Sequence, residues 1–176
     1  PSEIKVAQYD VEPGWMGPKY MTRFREQKSY EARRRLINNA RQRGTITADV
    51  NRGLNRVLNY EHTSLILGRV VSAELFGVDS AFLKLDNEET VFCDRILLGT
   101  GFNPVIKADL IRKLKDHHEL RCSECGYPIV DPFLRWHPNL SVTGELAELE
   151  LGPAAKNIIG ARHAGERIQH LFTQIQ

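Results

Sequence analysis

The stretch from Leu140 to Phe172 constrains this chain more than any other. A short apolar strand (Leu140, Val142) runs into Thr143-Gly144-Glu145-Leu146-Ala147-Glu148-Leu149-Glu150-Leu151, and Gly152-Pro153 then opens a predicted helix. Proline suits the first helical position, where its missing N–H would have no partner. From there Ala154, Ile158, Ala161, Gly165, Ile168 and Phe172 alternate spacings of four and three, the pattern of one helix face. Lys156, His163, Arg167 and His170 take the other. Small residues on the inward face, with Gly160 and Ala164 beside them, predict close approach to something flat, either a sheet or a planar ligand.

The first N–H groups of a helix are unpaired, and the macrodipole places about half a positive charge there. Strand, glycine turn, Gly152-Pro153 and helix therefore make a geometry suited to an anionic ligand edge, or one that simply packs. A second, similar construction runs from Cys93 to Pro104: Cys-Asp-Arg-Ile-Leu-Leu-Gly-Thr-Gly-Phe-Asn-Pro. Ile96-Leu97-Leu98 reads as a strand covered on both faces, ended abruptly by Gly99-Thr100-Gly101.

Asp94 to Pro104 resembles the second fingerprint of flavoproteins with two dinucleotide-binding domains, where an apolar strand ends in a Thr-Gly turn against FAD. Val142 to Arg162 is similar to the closing flavin-contact segment of FAD/NAD(P)-binding oxidoreductases, near the flavin monooxygenases and N-hydroxylases. The resemblance implies cofactor contacts at Gly99, Thr100, Gly101, Gly144, Glu145, Leu146, Gly152, Pro153 and Ala154, the two turns converging on one cofactor edge. It implies hydride transfer from NADPH or NADH to the flavin, with the helix beginning at Gly152-Pro153 stabilising the developing negative charge. No side chain is nominated as acid, base or nucleophile, because the flavin carries the chemistry.

Such enzymes open with a strand and Gly-x-Gly-x-x-Gly, whose glycines let backbone and helix approach the FAD pyrophosphate. Gly14-Trp15-Met16-Gly17-Pro18 is no substitute: it lacks the third glycine and carries a proline. The chain thus looks like the C-terminal part of such a protein, lacking the N-terminal Gly-x-Gly-x-x-Gly segment. A different reading stays open, that of a non-catalytic module, a truncated or split piece that binds a partner chain carrying the missing FAD-binding half.

A length of 176 residues fits one domain, or one with a small subdomain, and 41% hydrophobic with 26% charged residues can build a core. No run approaches the roughly 18 apolar residues of a membrane helix, and no signal peptide opens the chain, so a soluble cytoplasmic protein is expected. Three cysteines are an odd count that fits a reducing compartment. Net charge is only +2, yet between Lys19 and Arg56 eleven basic residues face three acidic ones. The remainder of the chain is correspondingly acidic.

Ser29 is placed to cap a helix running to about Gln42 and stopped by Gly44, and Thr47 to cap a second running to about Leu58. Together they are expected to form a helical hairpin, basic outside. From Leu65 the period changes to strands: Leu65 to Leu75, then Ala81, Leu83 and Leu85 in alternation, then Thr90 to Leu98, joined by turns at Gly77 and Asn87. Ile106 to His117 reads as a short helix with Leu110, Ile111 and Leu114 inward. Pro128, Pro132 and Pro138 keep the segment around them irregular.

Three features leave alternatives open. Cys122-Ser123-Glu124-Cys125 has the spacing of a zinc half-site or a redox pair, or holds two ordinary thiols. The arginines are a solvated helix face, a clamp for the 2′-phosphate of NADPH, or a nucleic-acid contact, the last disfavoured because no stacking aromatics alternate with them. Glu145, with Glu148 and Glu150, is either a flavin ribityl contact or an exposed acidic turn. His62, His137, His163 and His170 make no triad pattern. The expected architecture is α/β: residues 1–60 a loop and basic helical hairpin, residues 61–176 a three-stranded meander with a partial Rossmann-like sheet and a packed C-terminal helix. The small-molecule substrate is left undetermined.

Overall fold

The computed structural model describes residues 4–42, 44–60 and 62–173. In chain order the elements are β1 (Lys5–Val6), α1 (Pro18–Glu26), α2 (Tyr30–Ala40), β2 (Thr45–Ile46), α3 (Ala48–Leu58), β3 (Val70–Phe76), β4 (Ser80–Leu85), β5 (Thr90–Cys93), α4 (Asp109–His117), β6 (Arg135–His137), β7 (Leu140–Ser141), α5 (Glu148–Leu151), α6 (Ile158–Ile168) and α7 (His170–Thr173). They divide into two compact units, one comprising residues 1–6 and 46–102, the other residues 7–45 and 103–176. We call the first the meander unit and the second the helical unit.

The meander unit is built on an antiparallel sheet of order β3-β4-β5. Alternating Ala81, Leu83 and Leu85 set the register, in which Phe82 pairs with both Glu74 and Phe92. Gly77 takes φ +68° in the first turn, and in the second Glu88 takes φ +69°. The second turn closes because Glu89 accepts from the Leu85 N–H and Leu85 from the Glu88 N–H, at 2.9 and 3.1 Å. Phe76, Phe82 and Phe92 cluster on one face, ring centroids 5.1–6.1 Å apart. Ala81 and Leu85 are buried, while all seven residues of β3 are exposed.

Two expectations fail here. The last strand stops at Cys93, and Ile96-Leu97-Leu98 forms no strand. Leu97 is 96% exposed, because within the described residues no neighbouring strand offers its backbone a ladder or its side chain a surface. The helical hairpin also fails: α2 belongs to the helical unit and α3 to the meander unit. Its local signals were sound, since Ser29 Oγ accepts from the Ala32 N–H and Thr47 Oγ1 from the Val50 N–H. Caps fix where a helix starts, not what it packs against.

The helical unit holds the cores. Leu120, Leu134, Trp136, Val142, Ala147, Leu151, Ala155 and Ala164 form one. Met21, Phe24, Ile37 and Leu149 form the second, with Trp15, Leu36 and Tyr127 against it. Helix α1 was not anticipated. Pro18 starts it, and Met21 and Phe24, three apart, put its apolar face into the second core.

The C-terminal segment departs from its sequence pattern in two ways. Pro153–Lys156 is a single 3₁₀ turn, and the α-helix begins only at Ile158, where Asn157 Oδ1 accepts from the Gly160 N–H at 3.1 Å. The face is also rotated. Gly160 and Ala164 are buried, whereas Ile158 is 90% exposed and Ala161 and Gly165 face outward. The cause is backbone proximity: a Cβ on Gly160 would lie 2.3 Å from the Ala154 carbonyl oxygen, so only glycine lets α6 sit this close to the preceding turn.

Candidate functional site

The site is built on the chain that joins β7 to α6. Thr143 is extended, Gly144 turns with φ +59°, residues 144–147 make one 3₁₀ turn and α5 makes one α turn. Gly152 then reverses the chain at φ +82°, ψ −170°, a conformation essentially reserved for glycine. The two short turns on either side of α5 pack against each other. Three carboxylates therefore project from ten residues in three directions.

Glu148 is fully buried, and the guanidinium groups of Arg34 and Arg41 both donate to its carboxylate. Glu150 accepts from Arg33 Nη1 and Arg167 Nη1, each at 2.9 Å. Arg33 also donates to the backbone oxygens of Leu149 and Gln27, so it ties α2 to α5 through both charge and main chain. Glu145 takes the Tyr127 hydroxyl at 2.6 Å and Lys156 Nζ at 2.6 Å.

These arginines are thus neither a solvated face nor free cations. An unpaired buried carboxylate would cost several kcal/mol, and paired, hydrogen-bonded charges offset that cost. Burial raises the carboxyl of Glu145, yet Lys156 and Tyr127 outweigh it and hold that carboxyl below its ordinary range. Burial and the adjacent Glu145 carboxylate push the Tyr127 phenol well above its ordinary range, so it remains a donor. Burial disfavours the charged form of Arg34, but Glu148 and the Cys125 sulfur more than reverse this.

The residues nominated from the sequence separate into two groups. Gly99, Thr100 and Gly101 lie in the meander unit and are exposed, with Gly101 at φ +78°. A Cβ on Gly99, Gly101 or Gly144 would meet nothing within 4 Å, so their backbones are open to close approach by a flat ligand. Gly144, Glu145, Leu146, Gly152, Pro153 and Ala154 come together in the helical unit. Of these, Gly152, Pro153 and Ala154 are buried, and a Cβ on Gly152 would lie 2.8 Å from Met21 Sδ.

In the meander unit the backbones at Gly99 and Gly101, and in the helical unit that at Gly144, are each open to a flat ligand edge. The carboxylate of Glu145 fits as an acceptor that already has two donors. The turn at Gly152 fits as framework under the second core rather than as a bare surface. Its supposed helix dipole is absent, since a 3₁₀ turn of four residues does not sum to a macrodipole and the true helix start is capped by Asn157.

Sequence reasoning noted the basic run and the acidic turn separately and did not join them. Their opposite charge was the available signal. Among the described residues no group of three or more His, Cys, Asp or Glu is placed to hold a metal ion. Arg43 lies outside the described residues. No protein-family model matches the chain, and no curated protein matches it. Among the described residues no helix is long and apolar enough to cross a membrane.

Proposed function

We propose that this chain supplies the C-terminal, flavin-contacting part of an FAD-dependent oxidoreductase using NADPH or NADH. A companion segment bearing Gly-x-Gly-x-x-Gly, continuous with this chain or separate from it, completes a Rossmann-like sheet. The observation behind this is the run Ile96-Leu97-Leu98-Gly99-Thr100-Gly101-Phe102: largely apolar and outside any helix or strand, with Leu98 80% and Phe102 fully exposed. Apolar β-formers ending in an open glycine turn are what a buried parallel strand beside a nucleotide needs, and among the described residues no strand pairs with them.

FAD, when bound, supplies the hydride acceptor. The chain's own part is positioning: within the meander unit Gly99, Thr100 and Gly101 would give close backbone approach, and within the helical unit Gly144 would give another and Glu145 a fixed acceptor for a hydroxyl. Gly152, Pro153 and Ala154 hold that second turn rigid from below.

The closed turn at Gly152 favours the other reading, a non-catalytic module that docks on a partner through the same apolar run. Nucleic-acid binding is weakened because Arg33, Arg34 and Arg41 are engaged by Glu148 and Glu150.

The test is flavin retention. The chain is mixed with FAD, alone and with a companion polypeptide containing the Gly-x-Gly-x-x-Gly half, and passed through gel filtration. Visible flavin absorbance co-eluting with the complex, reducible by NADPH or NADH, is the expected result. A complex that forms yet stays colourless selects the module, and absence of both colour and complex overturns both readings.

A further inference from the structure

We infer that the cavity between α1 and α2 is a binding site for a small aryl carboxylate, its ring against Trp15 and Phe24 and its carboxylate at Lys19 and Arg23. The cavity measures about 110 Å³ and is lined by Trp15, Lys19, Tyr20, Arg23, Phe24 and Leu36, all in the helical unit. An apolar cavity of about 150 Å³ is enough to take benzene. A space somewhat smaller than that takes one ring only if the ring's polar end stays at the mouth.

The inner wall is aromatic and is in place before any ligand arrives. Phe24 is fully buried in the second core, and the Trp15 and Phe24 rings stand 88° apart with centroids separated by 6.3 Å. Tyr20 meets Trp15 at 5.3 Å. Its hydroxyl donates to Glu12 Oε2 at 3.1 Å, and its ring lies against Gly14, where a Cβ would come within 2.3 Å of Tyr20 Cε2. Such rings offer a further ring the edge-to-face and offset contacts that aromatic groups prefer. Walls already held cost a ligand little ordering on binding.

The mouth carries the opposite chemistry. Lys19 and Arg23 are exposed and four residues apart on α1, which puts them on one face of it. Among the described residues neither is joined to a carboxylate; Lys19 lies instead over the Tyr20 ring, with Nζ 5.1 Å from its centroid. This sets them apart from Arg33, Arg34 and Arg41 of the same basic stretch, which Glu148 and Glu150 engage. Like charges one turn apart repel, and a carboxylate between them relieves that repulsion. Among the described residues no acidic side chain lines this cavity, and Glu12, beyond the Tyr20 hydroxyl, lines the adjoining cleft of about 260 Å³.

An aromatic floor under two unpaired cations selects among guests. A neutral ring leaves both cations without a partner, a bare anion leaves the ring wall empty, and a cationic guest meets its own sign at the mouth. An aryl carboxylate answers both parts of the lining at once.

The test is made on the full chain without flavin, titrating benzoate, benzamide and acetate against its amide NMR spectrum. Benzoate should bind saturably, shift the signals of residues 15–24 and Leu36, and bind at least about tenfold more tightly than benzamide or acetate. Arg23→Gln and Lys19→Gln, each at an exposed position, should keep the melting temperature. Each should weaken benzoate about two- to fivefold, the range of an exposed ion pair, and leave benzamide unchanged. Benzamide or acetate binding as tightly as benzoate, shifts confined to other parts of the chain, or benzoate affinity unmoved in both variants would each overturn the assignment.

Discussion

The guanidinium carbon of Arg34 sits 3.8 Å from the centroid of the Tyr127 ring. One side chain from α2 thereby meets two groups distant in sequence: it stacks on Tyr127 and donates to the buried Glu148. A delocalised, weakly hydrated cation suits this position because stacking and ion pairing use different parts of the same plane.

Breaking this network at its centre should unfold the helical unit readily. Glu148→Gln leaves Arg34 and Arg41 buried with a neutral partner, and loss of one member of a buried ion pair costs about 3–5 kcal/mol. Urea denaturation followed by circular dichroism measures it. A loss below about 1 kcal/mol, the range of surface pairs, would contradict the burial of this carboxylate.

Gly152 and Gly144 should respond differently to alanine. Both have positive φ, but only at Gly152 would the new Cβ strike Met21. Gly152→Ala should combine backbone strain of about 1–3 kcal/mol with a smaller cost for shifting the flexible end of Met21. Gly144→Ala should show the strain alone, and thermal melts of the two variants give the difference directly.

Acid sensitivity should trace in part to Glu145. Its carboxyl is lowered in the folded protein from an ordinary 4.5, so its stabilising effect is complete above that pH and fades as pH falls through the depressed folded value. Glu145→Gln should flatten this limb of the stability–pH curve. Tyr127 acts at the other end: its phenol is raised from 10.0, so its contribution holds below pH 10.0 and is lost as pH climbs through the folded value. Tyr127→Phe should remove that alkaline limb, and chemical denaturation across pH reads both.

Leu97→Asp should separate folding from assembly. At 96% exposure Leu97 contributes little to the meander unit, so its melting should change by no more than about 0.5 kcal/mol. Association with the Gly-x-Gly-x-x-Gly companion should weaken by about 1.5–3 kcal/mol, the value of burying a leucine side chain. Titration calorimetry measures the second effect, and unchanged affinity would remove the apolar run from the proposed interface.

Local chemistry was readable from the residues themselves. Ser29 and Thr47 cap the helices expected of them, and the alternation of Ala81, Leu83 and Leu85 between glycine- and asparagine-containing turns gave the meander and its order. Such signals act over a few residues, through backbone donors and side-chain period, and so appear in sequence. The helix starting at Pro153 was misread for a related reason. Spacing cannot distinguish a continuous helix from a 3₁₀ turn and an Asn157 cap, and the exposed stripe through Ile158, Ala161 and Gly165 mimics an inward face.

By itself the sequence determined where most elements begin, which turns require glycine, and that a basic stretch and an acidic turn coexist in a nearly neutral chain. Only the tertiary structure decided that Arg34 and Arg41 meet Glu148 inside the helical unit, more than a hundred residues away. It alone also assigned α2 and α3 to different units and left Ile96-Leu97-Leu98 without a sheet. The physical reason is range: caps and turns are satisfied by neighbours in the chain, whereas a buried charge or an apolar strand is satisfied only by whatever the fold brings to it.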